Sequence, residues 1–255
     1  MRRVAHQGIG GILVLLSAVS PALGETPEEL FERGNAAYEN SRYGEAVNAY
    51  ETVLKYDIRD PRVEYNLGNA YFRLGELGRA ILHYERARRL RPVDPDIRAN
   101  LELARSRRID RVEPQEAAAV VHWTRALQER LGPDRQALAF LALLWVIAGL
   151  TTWASIRSSG WSPWVGWALA ALVLAAALTA LSWLVTWHRL EGERIAVVLD
   201  ASVEVLAGPG ENNASLFTVH EGLTLTVRSE RPDWVQVSLP NGLNGWIPRA
   251  ALGFV

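Results

Sequence analysis

The chain changes its hydrophobic rhythm twice along its length. From Thr26 to about Arg108 it is helix-compatible and repeats itself. Then the polar positions vanish: from Ala137 to Ile156, and again from Trp164 to Trp187, 20 and 24 residues pass without Asp, Glu, Lys, Arg or His. A helix rises about 1.5 Å per residue and bilayer hydrocarbon is about 30 Å thick, so each run is long enough to span. After Glu191 the period becomes two, with Val203 and Val205 alternating with Ser202 and Glu204, and Leu223, Leu225 and Val227 with Thr224 and Thr226. The expected fold class is multidomain α plus β: an N-terminal α-helical array, a two-helix transmembrane hairpin and a small C-terminal β-barrel.

Sliding the helical part over itself by 34 residues places Gly34 on Gly68, Asn35 on Asn69, Ala36 on Ala70, Tyr38 on Phe72, Ala46 on Ala80 and Tyr50 on Tyr84. That period is the signature of the tetratricopeptide repeat, and Leu67-Gly68, Tyr71, Ala80, Tyr84, Ala87 and Pro92 fall where that family's pattern wants them. The first unit is less regular, with Ala37, Val53 and Ile58 at three of these positions and Pro61 as a late helix stop. Two repeats need a cap, and Asp96 to Ala104 continues the register as one more helix, for five in all. The resemblance implies an inner face carrying Phe31, Asn35, Tyr38, Tyr65, Asn69, Phe72 and Arg73, a stripe suited to an extended peptide or a partner's helix. Packing between the repeats is the alternative role for the same side chains.

The residues between the two apolar runs, around Arg157 and Gly160, suffice only for a tight turn, so both flanking segments face one compartment. Neither run carries an ionisable group or a helix break at its middle, which a transporter or proton path would need; they read as an anchor. Gly166, Ala170, Ala171, Ala175, Ala176 and Ala180 would allow close helix contact, within the hairpin or with a partner. Arg2 and Arg3, the apolar stretch Ile9 to Val19 and Pro21-Ala22-Leu23-Gly24 have the layout of a secretory leader cleaved after Gly24, the alternative being an uncleaved anchor. Arginines 125, 130, 135, 189 and 194 outside the turn, against Arg157 within it, argue instead for cytoplasmic tails. The leader takes precedence because it engages the export machinery before either span exists.

Between array and hairpin, residues 115–131 have helical apolar spacing with Trp123 among them. This segment either lies at the headgroup level or packs on the array. Most of the ten tryptophans fall between 123 and 187, near the expected ends of the spans. In the tail, Gly208-Pro209, His220-Glu221-Gly222, Asp233 to Val237 and Gly245-Trp246-Ile247 follow in an order that resembles the bacterial SH3-like domain. Trp234 and Trp246 are expected in its core, with a ligand platform as the alternative. The resemblance implies binding of cell-wall peptide or of a protein segment.

The formal charge is −1 and the mature chain is mildly acidic, so nothing attracts nucleic acid. There is no cysteine, hence no disulfide or thiolate metal site. Histidines 6, 83, 122, 188 and 220 are scattered, and no catalytic motif appears; an enzyme is not expected, nor a cofactor. Gly208-Pro209-Gly210 precedes a strand, not the helix that a phosphate cradle requires.

The expected segments are a leader (1–24), repeats (26–108), a linker (109–135), the first span (136–156), a tight loop (157–163), the second span (164–187) and the SH3-like domain (192–255). This combination resembles the BatE-type tetratricopeptide membrane proteins of bacterial aerotolerance operons. The resemblance implies a non-catalytic scaffold in the inner membrane with both soluble domains periplasmic. Its implied partners are envelope proteins, among them von Willebrand factor A-domain membrane proteins and a MoxR-type AAA ATPase system. A peptidoglycan sensor acting through the SH3-like domain is the other function the residues allow.

Overall fold

The computed structural model describes residues 25–112, 119–157, 162–192 and 194–255. The leader at residues 1–24 and the turn at Gly160 lie outside them. Five helices form the array: α1 (Pro27–Glu39), α2 (Tyr43–Leu54), α3 (Pro61–Leu74), α4 (Leu77–Leu90) and α5 (Pro95–Ser106). The odd-numbered helices start alike. Thr26, Asp60 and Asp94 cap α1, α3 and α5 by accepting hydrogen bonds from backbone amides of the first turn, and each is followed by proline. Pro61 is therefore the first residue of α3 and not the stop of α2, because its fixed φ and missing N–H suit a first turn. Helix α2 ends at Leu54, and Asp57 turns the chain at φ 57°.

Each antiparallel pair closes over a glycine: a Cβ on Gly34 or Gly68 would drive into the ring of Tyr50 or Tyr84. The core between the pairs holds Leu30, Ala46, Tyr50, Leu67, Ala80, Ile81, Tyr84 and Leu101. A carboxylate is fully buried with them. Glu85 on α4 is fully enclosed and held by Arg88 at 2.8 Å and by Arg105 of α5 at 2.5 Å.

Helices α6 (Ala119–Ile156) and α7 (Pro163–Gly192) lie antiparallel, with Trp153 beside Trp164 at 6.4 Å near one end. Near the other, buried Gln136 accepts from the Ser182 hydroxyl at 3.1 Å and donates to Thr186 Oγ1 at 3.5 Å. Such polar contacts tie helices together where lipid offers no hydrophobic drive. Gly132, at φ 66°, and Pro133 kink α6 where the Gly-Pro break was expected. Beyond the kink, Leu131–Ile156 and Pro163–His188 are long and apolar enough to cross a membrane. Their outer faces are bare: Trp145 is 78% and Trp167 79% exposed. Trp145 stands within its span and not at the end where an interfacial belt would place it. Of the small residues on α7, Ala176 is buried in the hairpin, whereas Gly166 meets no neighbour.

The C-terminal strands are β1 (Ile195–Val198), β2 (Ser202–Leu206), β3 (Ser215–His220), β4 (Thr224–Glu230), β5 (Trp234–Ser238), β6 (Asn244–Pro248) and β7 (Leu252–Phe254). They form one seven-stranded antiparallel sheet in the order β3-β2-β6-β5-β4-β1-β7. The fold is SH3-like, but the sheet is open: β3 and β7 are edges, where a closed barrel was expected. Its core is aliphatic, built from Ala196, Val198, Val203, Val205, Leu223, Leu225, Val235, Val237 and Ile247.

This sheet is docked on the array. Strand β1 is buried on both sides, with Ala196 and Val198 in the sheet's core and Val197 between them in the array's core. Val197 pairs with Gly253 of β7, and a Cβ there would strike Leu82 of α4. The exposed edge of β7 is closed by α4: Arg86 donates to the Phe254 carbonyl through Nε at 3.0 Å and Nη2 at 2.7 Å. Helix α4 has no side-chain cap of its own, and Glu221, from the turn before β4, accepts from the Gly78 amide at 3.2 Å. Asp110, beyond α5, accepts from the His220 amide at 2.6 Å and lies 2.9 Å from His220 Nδ1.

Candidate functional site

The array leaves one concave face open, formed by α1, α3 and α5, and a hydrogen-bond ladder runs across its floor. Tyr50 donates through its hydroxyl to Asn35 Oδ1 at 2.8 Å, and Asn66 Nδ2 donates to the same oxygen at 3.0 Å. The pattern recurs 34 residues on: Tyr84 donates to Asn69 Oδ1 at 2.7 Å and Asn100 Nδ2 donates to it at 2.9 Å. Asn100 Nδ2 also donates to the Tyr65 hydroxyl at 2.8 Å. Burial pushes the phenol of Tyr50 up to about 12, and raises those of Tyr84 and Tyr65, because an ionised oxygen would lose its water there.

The seven expected groove residues divide into three groups. Phe31 is buried against Tyr50, with ring centres 5.9 Å apart, and is packing. Asn35, Asn69 and Tyr65 belong to the ladder and are half-buried, each keeping part of its surface in the groove. Tyr38, Phe72 and Arg73 form the rim. Tyr38 meets Tyr43 edge to face at 5.3 Å, the Arg73 guanidinium lies 4.9 Å over Tyr43, and that of Arg107 4.5 Å over Phe72. Asn66 and Asn100 are floor residues that the sequence reading missed, although they sit one repeat apart, the same offset that relates Asn35 to Asn69. At the α1 end the floor sinks into a hollow of about 370 Å³, lined by Glu32, Asn35, Tyr38, Glu39, Tyr50, Asn66 and Asn69.

Behind the groove runs a second polar chain that faces no opening of this face. Buried His83 lies 2.7 Å from Glu64 Oε2 and stacks on Tyr71, whose hydroxyl donates to Glu51 Oε1 at 2.5 Å. Burial and that carboxylate push Tyr71 up to about 12. The chain ties α2, α3 and α4 to one another.

On the sheet, Trp234 and Trp246 are half-buried and stand outside the aliphatic core, contrary to the expectation that placed them in it. In each strand the inward position is taken by a neighbour, Val235 or Ile247, and a two-residue period sends the indole to the other face. Arg231 covers the Trp246 ring at 5.2 Å. Trp234 borders an open hollow of about 720 Å³ with Glu211, Pro248, Arg249 and Phe254.

Residues 31–95 match the tetratricopeptide repeat family and residues 200–253 the bacterial SH3 domain family. No curated protein matches the chain. The tetratricopeptide repeat is an interaction module, and its pairing with a bacterial SH3 domain supports protein partners and an envelope role. The chain thus joins tetratricopeptide repeats, an apolar helical hairpin with the length to cross a membrane, and a bacterial SH3 domain.

Proposed function

We propose that this protein is a membrane-anchored, non-catalytic scaffold of the bacterial envelope, comparable to the BatE-type proteins. The array and the SH3-like domain stand together on the periplasmic side of the inner membrane. The observation that carries the reading is the open amide-and-tyrosine groove, held on a body whose two connections to the hairpin leave from the same end. Partners are envelope proteins, with von Willebrand factor A-domain membrane proteins and a MoxR-type ATPase system as the first to test. Since the chain has no cysteine, single cysteines at positions 40, 158 and 212 report topology by labelling with an impermeant thiol reagent. Positions 40 and 212 label from the periplasm and 158 does not; the reverse pattern overturns the orientation.

A second function rests on the displaced tryptophans. An indole beside a hollow, free of the core, is a platform on which a cell-wall peptide or glycan can stack. Purified sacculi sediment the detergent-solubilised chain on this reading, and Trp234→Ala releases it. A chain that stays in the supernatant removes the peptidoglycan role.

A further inference from the structure

The array touches the hairpin at a point whose depth in a bilayer is marked. Gly132, at the kink of α6, is buried against Val93 of the turn between α4 and α5, and a Cβ on it would come within 2.8 Å of Val93 Cγ1. One turn further on, Gln136 donates to Thr186 Oγ1 and so sets this end of the first span level with the end of α7. Trp183 and Trp187 stand there with ring centres 5.6 Å apart, and Trp187 is exposed. Indoles on the last turns of an apolar helix mark the headgroup level. The α4–α5 turn is therefore held where the surface of a bilayer would lie.

Its side chains suit that layer. Val93 is 37% exposed and Leu90, the last residue of α4, 40%, although both are aliphatic. Arg98 donates through Nη2 to the Val93 carbonyl at 3.4 Å, and Arg91 lies 3.8 Å from Asp94. Arg59, from the turn between α2 and α3, borders the same hollow as Leu90, and exposed Arg135 follows the kink. Carboxylates stand among these cations. Asp94 accepts from the amides that begin α5, and Asp57, Asp96 and Asp134 are exposed. Charges of the two signs nearly balance, so net attraction does not hold the turn at a membrane. Aliphatic side chains entering the interface do, with the guanidinium groups on phosphates and the carboxylates toward the outer ammonium groups of a zwitterionic lipid.

We infer that the α4–α5 turn rests on the phospholipid headgroups of the membrane that α6 and α7 enter, with Leu90 and Val93 at the base of that layer and Arg91 and Arg98 on its phosphates. This depends on the hairpin being a membrane anchor, and it adds that the array is seated on the bilayer and not held clear of it by a linker.

The chain has no cysteine, so positions 40, 91, 93 and 145, each replaced singly by cysteine, can carry a nitroxide. Electron paramagnetic resonance of the full chain in nanodiscs of phosphatidylethanolamine and phosphatidylglycerol compares relaxation by oxygen, which concentrates in lipid, with relaxation by a water-soluble nickel chelate. Chelate access at 91 and 93 falls well below that at exposed position 40, in the turn at the other end of the array, and oxygen is in excess at 93. Leu90→Glu with Val93→Glu restores chelate access at 91; both side chains are exposed, so the variant folds. Chelate access at 91 and 93 equal to that at 40 overturns the inference, as does a nitroxide at 93 that is immobile and reached by neither agent, the mark of plain packing on Gly132. Position 145, inside the first span, keeps the two levels apart. Chelate reaching 145 removes the anchor itself, whereas oxygen at 145 with chelate at 91 and 93 removes the seated turn alone.

Discussion

The array and the SH3-like sheet lie against each other and are built on opposite economies. Inside the array polar groups are everywhere: the asparagine–tyrosine ladder, Glu85 between two arginines, and His83 against Glu64. The sheet's core is almost wholly aliphatic. All seven tyrosines, from Tyr38 to Tyr84, belong to the array and none to the sheet. Helices of near-identical sequence need something to fix which neighbour sits where, and hydrogen bonds of defined length do that better than non-directional packing. A sheet already has its register from strand pairing and needs only to exclude water.

If this contrast is right, the array fails through its polar groups and the sheet through its packing, and the shared helix α4 passes damage between them. The largest effect is expected from Arg105→Met, which leaves Glu85 buried with Arg88 as its one partner. Removing one member of a buried pair costs about 3 kcal/mol or more. Hydrogen exchange on the detergent-solubilised chain should show α4 and α5 losing protection, and β1 with them, because Val197 lies in the array's core. Unchanged exchange in β1 would mean that the two bodies are independent.

A smaller loss follows from Gly253→Val, which forces a side chain into Leu82. Overpacking of this kind costs about 1–3 kcal/mol. Its signature is loss of protection in β7 and β1 first and α4 next, the opposite direction of spread from Arg105→Met.

The smallest effect is a pH dependence confined to one side of the comparison. Tyr50 and Tyr71 are held up to about 12, above the ordinary phenol value of about 10. A raised folded-state value means that folding favours the neutral phenol. The contribution is complete below pH of about 10 and is lost as pH climbs toward 12. Tyrosinate absorbance assigned by Tyr50→Phe and Tyr71→Phe differences should rise only at that upper end. Amide protection in β2 to β6, which hold no tyrosine, should outlast that of the array.

Much of this was legible in the residues. The offset between Gly34-Asn35 and Gly68-Asn69 disclosed the repeats, and composition alone marked the two long apolar helices. Where neighbouring apolar residues compete for one inward position, as in Trp234-Val235 and Trp246-Ile247, size is a poor guide, and pairing register decided for the smaller residue. Pro61 carries two meanings in sequence, stop and start, and the Asp60 cap before it resolved them. The docking of sheet on array was hidden for another reason: Glu221 caps α4 from 143 positions away, and no local pattern encodes such a bond. One trace of it was present. Ile195-Ala196-Val197-Val198 does not alternate as Ser202 to Val205 does, and an unbroken apolar run marks a strand covered on both faces. In the groove, Asn66 and Asn100 were overlooked because the expected stripe followed the residues beside each glycine, whereas the floor is completed one turn earlier on the next helix.

The double allegiance of β1 limits how this protein can be remodelled. A tail fastened by a linker can be exchanged for another domain with little harm, but here the first strand past the second span supplies Val197 to the helical body and Ala196 and Val198 to its own. Replacing the tail would uncover Ile81 and Leu82 and leave α4 without Glu221, so a successful exchange has to rewrite the outer surface of that helix as well. Substitutions at Gly253 and Leu82 should accordingly be tolerated only as matched pairs.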